Sequence, residues 1–235
     1  MQVQLLSHTP EPEKLVAAAA RLCYSASGIA SLLAADTADA ARLIRKVLAL
    51  GHFSVLEHVS FSFAVEDISR ACSHQLVRHR LASYSQQSQR YVAFKDELAV
   101  VEPPSLRERP ELLARYRQTL ADVQQLYRDL LSAGIPAEDA RFVLPNAAPT
   151  RLVMTMNARE LHHFFSLRCC RRAQWEIRAL AIAMLHACRE AAPLLFETAG
   201  PGCLRGPCPE GAFCCGAAEQ VRTELAAPPN PPARS

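Results

Sequence analysis

Arg78-His79-Arg80-Leu81-Ala82-Ser83-Tyr84-Ser85-Gln86-Gln87-Ser88-Gln89-Arg90-Tyr91 is the stretch on which the reading of this chain turns. From Ser83 to Arg90 every side chain can donate or accept a hydrogen bond, and Arg78, Arg80 and Arg90 bracket them. A guanidinium presents a planar fork of donors that suits phosphate or carboxylate in two-point contacts. Hydroxyl and amide side chains can read the edge of a heterocycle. The composition points to an anionic, hydrogen-bonding small molecule such as a nucleotide. Residues two apart on a helix point about 200° away from each other, so Arg78 and Arg80 share no face if a helix runs through them. Serine competes for backbone partners and fills helices poorly. A helix end followed by an irregular loop is therefore expected.

Working outward, Val59 to Val65 alternates, with Val59, Phe61, Phe63 and Val65 facing one way, which predicts a half-buried strand. Asp67 to about Val77 reads as the helix that delivers the arginine segment. Upstream, Glu13–Cys23 and Asp36–Leu50 read as helices, the second with Asp36 as N-cap and Gly51 as its stop. Downstream, Pro110–Ala133 is a long amphipathic helix and Ala137–Val143 a short one. Arg151–Met156 has strand character, and Ala158–Leu167 and Ala173–Ala191 are further helices. Long helices with few, separated strands predict an α+β fold, a mixed or antiparallel central sheet flanked by helices, and not a doubly wound parallel sheet.

The 235 residues are half hydrophobic and 21% charged, which predicts a packed core. A formal charge of +3 argues for neither nucleic acid nor an anionic membrane. Met1–Leu6 carries no basic flank and reads as no secretory signal, and Ala179–Leu185 is far shorter than the ~20 residues of a membrane span. A soluble, cytoplasmic protein is expected.

The pattern Arg-His-Arg, seven residues, Ser88, one residue, Arg90 resembles the signature of the flavin-dependent thymidylate synthases. Gly51–His58, Ser69–Leu76, Ala140–Pro145, Asn157–Arg159, Leu167-Arg168 and Ala173–Glu176 resemble further blocks of that family in the same order, over roughly residues 10 to 200. The resemblance implies the family's fold and a FAD-dependent methyltransferase that makes thymidylate from deoxyuridylate. Methylenetetrahydrofolate would give the one-carbon unit, and hydride would come from FAD recharged by NADPH. It also implies a homotetramer with sites between subunits, no nucleic-acid partner and no membrane. Residues 1–200 would form the synthase domain, 201–227 a Cys/Gly/Pro-rich extension and 228–235 a disordered tail.

By the same likeness, Ser54, Arg78, His79, Arg80, Gln86, Asn157, Ala158, Arg159 and His163 would contact FAD. Gln75, Leu76, Val77, Arg78, Gln86, Gln87, Ser88, Gln89, Arg90, Arg141 and Arg168 would hold deoxyuridylate. Arg168 is the expected catalytic residue, since a guanidinium against uracil N3 and its carbonyl favours the deprotonated ring and a more nucleophilic C5. His52 would lie near folate and flavin. Position 86 is an amide where other members carry a carboxylate, and His163 stands where others have asparagine. Ser88 reads as a phosphate and ring contact, because a serine hydroxyl is a weak nucleophile without a base. Against these roles stand ordinary surface pairings of Arg141 and Arg159 with Glu138, Asp139 or Glu160.

Nine cysteines, an odd number, argue against a fully paired disulfide framework. Cys23, Cys72 and Cys188 lie singly inside apolar or helical stretches and read as small buried thiols. Cys169-Cys170 and Cys203, Cys208, Cys214 and Cys215 form a second group. Reduced thiols in a mobile tail, with no metal, are the primary reading. A four-thiolate zinc site using Cys169 or Cys170 is the alternative. The rival to an enzyme is a non-catalytic nucleotide or nucleic-acid binder with a zinc-stabilised tail. Only Tyr84 and Tyr91 offer stacking surface in the segment.

Overall fold

A computed structural model describes residues 1–26, 28, 37–94 and 98–226. Its strands are β1 (Gln2–His8), β2 (Ser60–Ser69), β3 (Ala82–Gln86) and β4 (Pro149–Asn157). They form an antiparallel sheet in the order β1-β2-β4-β3. The helices are α1 (Pro12–Leu22), α2 (Thr37–Ala49), α3 (Arg70–Leu76), α4 (Pro110–Ser132), α5 (Ala137–Ala140), α6 (Ala158–Arg168), α7 (Trp175–Ala191), α8 (Pro193–Phe196) and α9 (Ala218–Ala226). The α+β expectation holds. Asp36 and the segment from Pro228 to Ser235 lie outside the described residues.

The chain divides into two compact units. The first comprises Met1–Ala64, His79–Tyr84 and the described residues from Val153 on. Its core is built on Phe61 and Phe63, the inward side chains of β2, both fully buried. Met154 and Met156 of β4 are buried too, as period-two alternation requires. Phe196 meets Phe61 edge-on at 5.2 Å and stacks on His162 at 5.4 Å. Helix α6 starts where Asn157 caps it, its side-chain oxygen accepting from the Glu160 amide at 2.9 Å. Gln174 caps α7 by accepting from the amides of Glu176 and Ile177. The segment expected as a mobile tail is packed over residues 201–226: Cys203 is buried, and α9 buries Val221 and Leu225. Cys72 and Cys188 are buried as expected, whereas Cys23, at the C-terminal cap of α1 where the chain leaves the helix, is exposed.

The second unit comprises Val65–Arg78 and Ser85–Leu152. The expected helix from Asp67 begins later, because β2 continues to Ser69 through a left-handed turn at Asp67, φ 57°. Ser69 then caps α3 from its hydroxyl, and the Arg70 and Ala71 amides donate to the carbonyls of Ala148 and Asn146, both at 3.0 Å. Arg78 follows Val77, the C-terminal cap of α3, so the predicted helix stop holds. The loop expected from Ser83 is corrected in its first part, where Ala82–Gln86 forms β3. Alternating Tyr, Ser and Gln side chains suit an edge strand as readily as a loop, and local composition does not separate the two.

Candidate active site

In the first unit, burial of His79 next to exposed Arg80 creates the central arrangement. Arg80 and Arg78 point to solvent while His79 is 4% exposed. The His79 ring packs edge-on against Phe164 at 4.9 Å and lies 5.8 Å from the ring of His163. Its Nδ1 is 3.2 Å from Oε1 of Glu160, and its Nε2 accepts from Arg168 Nε at 3.1 Å. An imidazole that accepts at Nε2 carries its proton on Nδ1, which donates to the Glu160 carboxylate. Burial, then the charge of Arg168, then His163 push the His79 pKa down to about 4. His79 is therefore neutral at physiological pH and leaves the Arg168 guanidinium its full charge. Burial raises the Glu160 pKa, and the donor order of the chain keeps it an acceptor.

Helix α6 sorts the remaining groups by its 3.6-residue repeat. Glu160, Phe164 and Arg168 recur at four-residue intervals and face inward to His79, while Arg159 and His163 are exposed on another face. Ala158 is fully buried, its amide donating to the Val59 carbonyl at 2.9 Å. Asn157 has its oxygen committed to the helix cap. Arg159 pairs with Glu57, not with Glu160 as the surface reading supposed.

A cavity of about 350 Å³ is lined by Ser54, His52, Phe53, Tyr24 and Arg159, so three residues singled out from the sequence, Ser54, His52 and Arg159, come together there. Tyr24 was missed; its hydroxyl lies 3.2 Å from Nδ1 of His52. Nothing in the sequence around Tyr24 marks it, since its pairing depends on a residue 28 positions away.

In the second unit, Gln75 is half-buried, Leu76 buried and Val77 exposed at the end of α3. Gln86 donates from Nε2 to the Thr150 hydroxyl at 3.0 Å. Gln87, Ser88 and Gln89 are half-buried, the Gln87 amide donating to the Arg151 carbonyl at 3.0 Å. The Ser88 hydroxyl accepts from the Arg90 amide at 3.1 Å, and the Arg90 guanidinium pairs with Glu138 at 2.9 Å. Arg141 donates from Nε to the Glu138 carbonyl at 3.0 Å. Arg70, not singled out from the sequence, is lowered in pKa by burial and by the like charge of Arg141. Two guanidiniums kept close enough to repel are an arrangement that an anion relieves.

A family model described as "Thymidylate synthase complementing protein" matches residues 4–194. The flavin-dependent thymidylate synthase of Geobacter sulfurreducens is 57% identical over 227 residues, spanning 94% of this chain and 97% of the relative. The chain belongs to the flavin-dependent thymidylate synthase family. Family members from Nitratidesulfovibrio vulgaris and Clostridium tetani are 50% and 43% identical, covering 92% and 94% of this chain and 94% and 96% of their own lengths. Each carries the name flavin-dependent thymidylate synthase, so the rival reading as a non-catalytic nucleotide or nucleic-acid binder is not favoured. Among the described residues no helix is long and apolar enough to cross a membrane.

Proposed function

We propose that the chain methylates deoxyuridylate to thymidylate, with methylenetetrahydrofolate as one-carbon donor and FAD as hydride carrier recharged by NADPH. The match over residues 4–194 carries this reading. The donor set fits FAD: a cavity of ligand size holds Ser54 and Arg159 beside His52, and the exposed face of α6 adds His163. Exposed Arg78 and Arg80 supply charge suited to a pyrophosphate. Bound FAD supplies the hydride, and the protein supplies position and charge.

Arg168 is the residue assigned to activation. With Nε held by His79, its terminal nitrogens form the edge left to face uracil N3 and the adjacent carbonyl. A full positive charge there stabilises the N3 anion and raises electron density at C5, where the new bond forms. Ser88 and Arg90 are assigned to the 5′-phosphate, with Arg141 beside them, and Gln75–Val77 and Gln86–Gln89 to the nucleoside. Phosphate would replace Glu138 at Arg90. The assembly is proposed as a cytoplasmic homotetramer.

The test is direct. Purified protein supplied with FAD, NADPH, methylenetetrahydrofolate and deoxyuridylate should form thymidylate and should bleach on adding NADPH. Flavin-loaded protein that forms no thymidylate would overturn the reading.

A further inference from the structure

Five cysteines from three separate stretches line one small enclosed cavity: Cys170 just beyond α6, Cys203 and Cys208, and the adjacent Cys214 and Cys215. Its volume is about 10 Å³, room for a single ion or water. The sequence left open whether Cys169 or Cys170 belongs to this group. Cys169 is fully buried outside the cavity lining, whereas Cys170 lines the cavity.

The loops around the thiols are shaped alike. The Gly216 amide donates to Cys214 Sγ at 3.4 Å, and the Glu210 amide donates to Cys208. Each is an amide two residues beyond the cysteine, with a left-handed glycine nearby, Gly211 at φ 52° and Gly216 at φ 69°. Amide N–H groups aimed at two of the sulfurs, and several thiols converging on one cavity, suit a cation-bound cluster, since thiolates sharing a cavity repel unless a cation joins them. Cys208 and Cys214 are within hydrogen-bond reach of one another. A Cβ on Gly202 would meet Pro209 at 2.7 Å, so the Cys203 and Cys208 loops are packed as closely as glycine permits.

We propose that Cys170, Cys203, Cys208 and Cys214 form a four-thiolate site for one zinc ion, which fastens the C-terminal segment to the end of the helix that carries Arg168. Among the described residues no three Cys, His, Asp or Glu side chains already stand at ligand geometry. The ion therefore has to draw the sulfurs in, to about 2.3 Å from the metal, and its binding is coupled to local closure. Arg171 and Arg172, which also line the cavity, offset the excess negative charge of four thiolates around a divalent ion. The same segment is held by ion pairs from Arg171 and Arg178 to Glu224. Cys214 and Cys215 are both exposed; Cys214, whose Sγ accepts from the Gly216 amide and lies within reach of Cys208, is the ligand, and Cys215 is the thiol left over.

The full-length protein, expressed with and without added zinc, tests this by elemental analysis, native thiol titration and thermal unfolding. About one zinc per chain is expected, falling below about a tenth in Cys203→Ser and Cys208→Ser and unchanged in Cys215→Ser. Removing the metal should expose about four more reactive thiols and lower Tm by at least about 5 °C. Wild-type protein holding less than a tenth of an equivalent after zinc reconstitution would overturn the site. So would variants that keep full metal content, or a Cys208–Cys214 disulfide in metal-free protein. Loss of zinc in Cys215→Ser with retention in Cys214→Ser would overturn the choice of fourth ligand.

Discussion

Arg168 donates from Nε to Nε2 of His79 at 3.1 Å, so the expected catalytic guanidinium is aimed by a neutral imidazole. Glu160 fixes the tautomer from the other side at 3.2 Å. Replacing Glu160 by Gln keeps an acceptor for Nδ1, whereas Ala leaves a buried donor unpaired. Glu160→Ala should lower kcat at least about tenfold and cost about 1–3 kcal/mol of stability, with Gln rescuing most of both. Equal behaviour of the two variants in kinetics and chemical denaturation would contradict the relay.

Acid should destabilise the fold through two histidines. His79 and His162 both have folded pKa values lowered to about 4, chiefly by burial. Above the unfolded value of 6.5 neither state binds the proton, and stability is full. Between pH 6.5 and 4 the unfolded chain takes up protons that the folded chain refuses, so stability falls, by roughly 3 kcal/mol per histidine at the limit. Glu160 acts in the opposite sense, since a raised carboxyl pKa contributes stability that is lost as pH rises past its unfolded value. Urea denaturation from pH 7.5 to 4.5 should show the net fall, and His162→Gln should flatten it. A flat wild-type profile would count against neutral, buried imidazoles.

The Arg90–Glu138 pair is half exposed at both side chains, so it contributes under about 1 kcal/mol to stability. Its proposed use lies in binding. Arg90→Ala should weaken deoxyuridylate at least about tenfold in calorimetry while leaving Tm within about 2 °C. Glu138→Gln should tighten binding modestly, by removing the competing carboxylate. Unchanged affinity in Arg90→Ala would remove this residue from the phosphate site.

Gln86 donates to the Thr150 hydroxyl, and a carboxylate at the same place could accept from that hydroxyl instead. Gln86→Glu is expected to form thymidylate within about threefold of wild type, whereas Thr150→Val should affect the wild type and the Gln86→Glu variant alike. A steady-state comparison of the two single variants, the double variant and the wild type checks this. A loss above tenfold in Gln86→Glu alone would show that the added charge matters more than the hydrogen bond.

Much of this was readable beforehand where periodicity is strong. Phe61, Phe63 and Val65 marked β2, and Leu, Tyr and Val spacing marked α4, because burying one face imposes its repeat on the sequence. Glu160 is readable in principle, since with Phe164 and Arg168 it continues the inward stripe of α6, yet the sequence offers it only among alternative surface partners of Arg141 and Arg159. The extension of β2 through Asp67 was not readable, since a left-handed aspartate is set by what the chain meets on either side. Strand β1 lies outside the sequence reading because the alternation of Gln2-Val3-Gln4-Leu5 is short, breaks at Leu6, and leaves Val3 and Leu5 only half-buried. The Tyr24–His52 and Gln86–Thr150 contacts join residues distant in the chain, and only the fold brings them together.

The activation role of Arg168 is tested most directly by single-turnover thymidylate formation in flavin-loaded Arg168→Ala and Arg168→Lys, with flavin content and Tm measured on the same samples. Turnover should drop at least about 100-fold in both, because lysine cannot present the planar fork that His79 aims, while flavin content and Tm stay near wild type. Turnover within threefold of wild type in either variant would contradict the account.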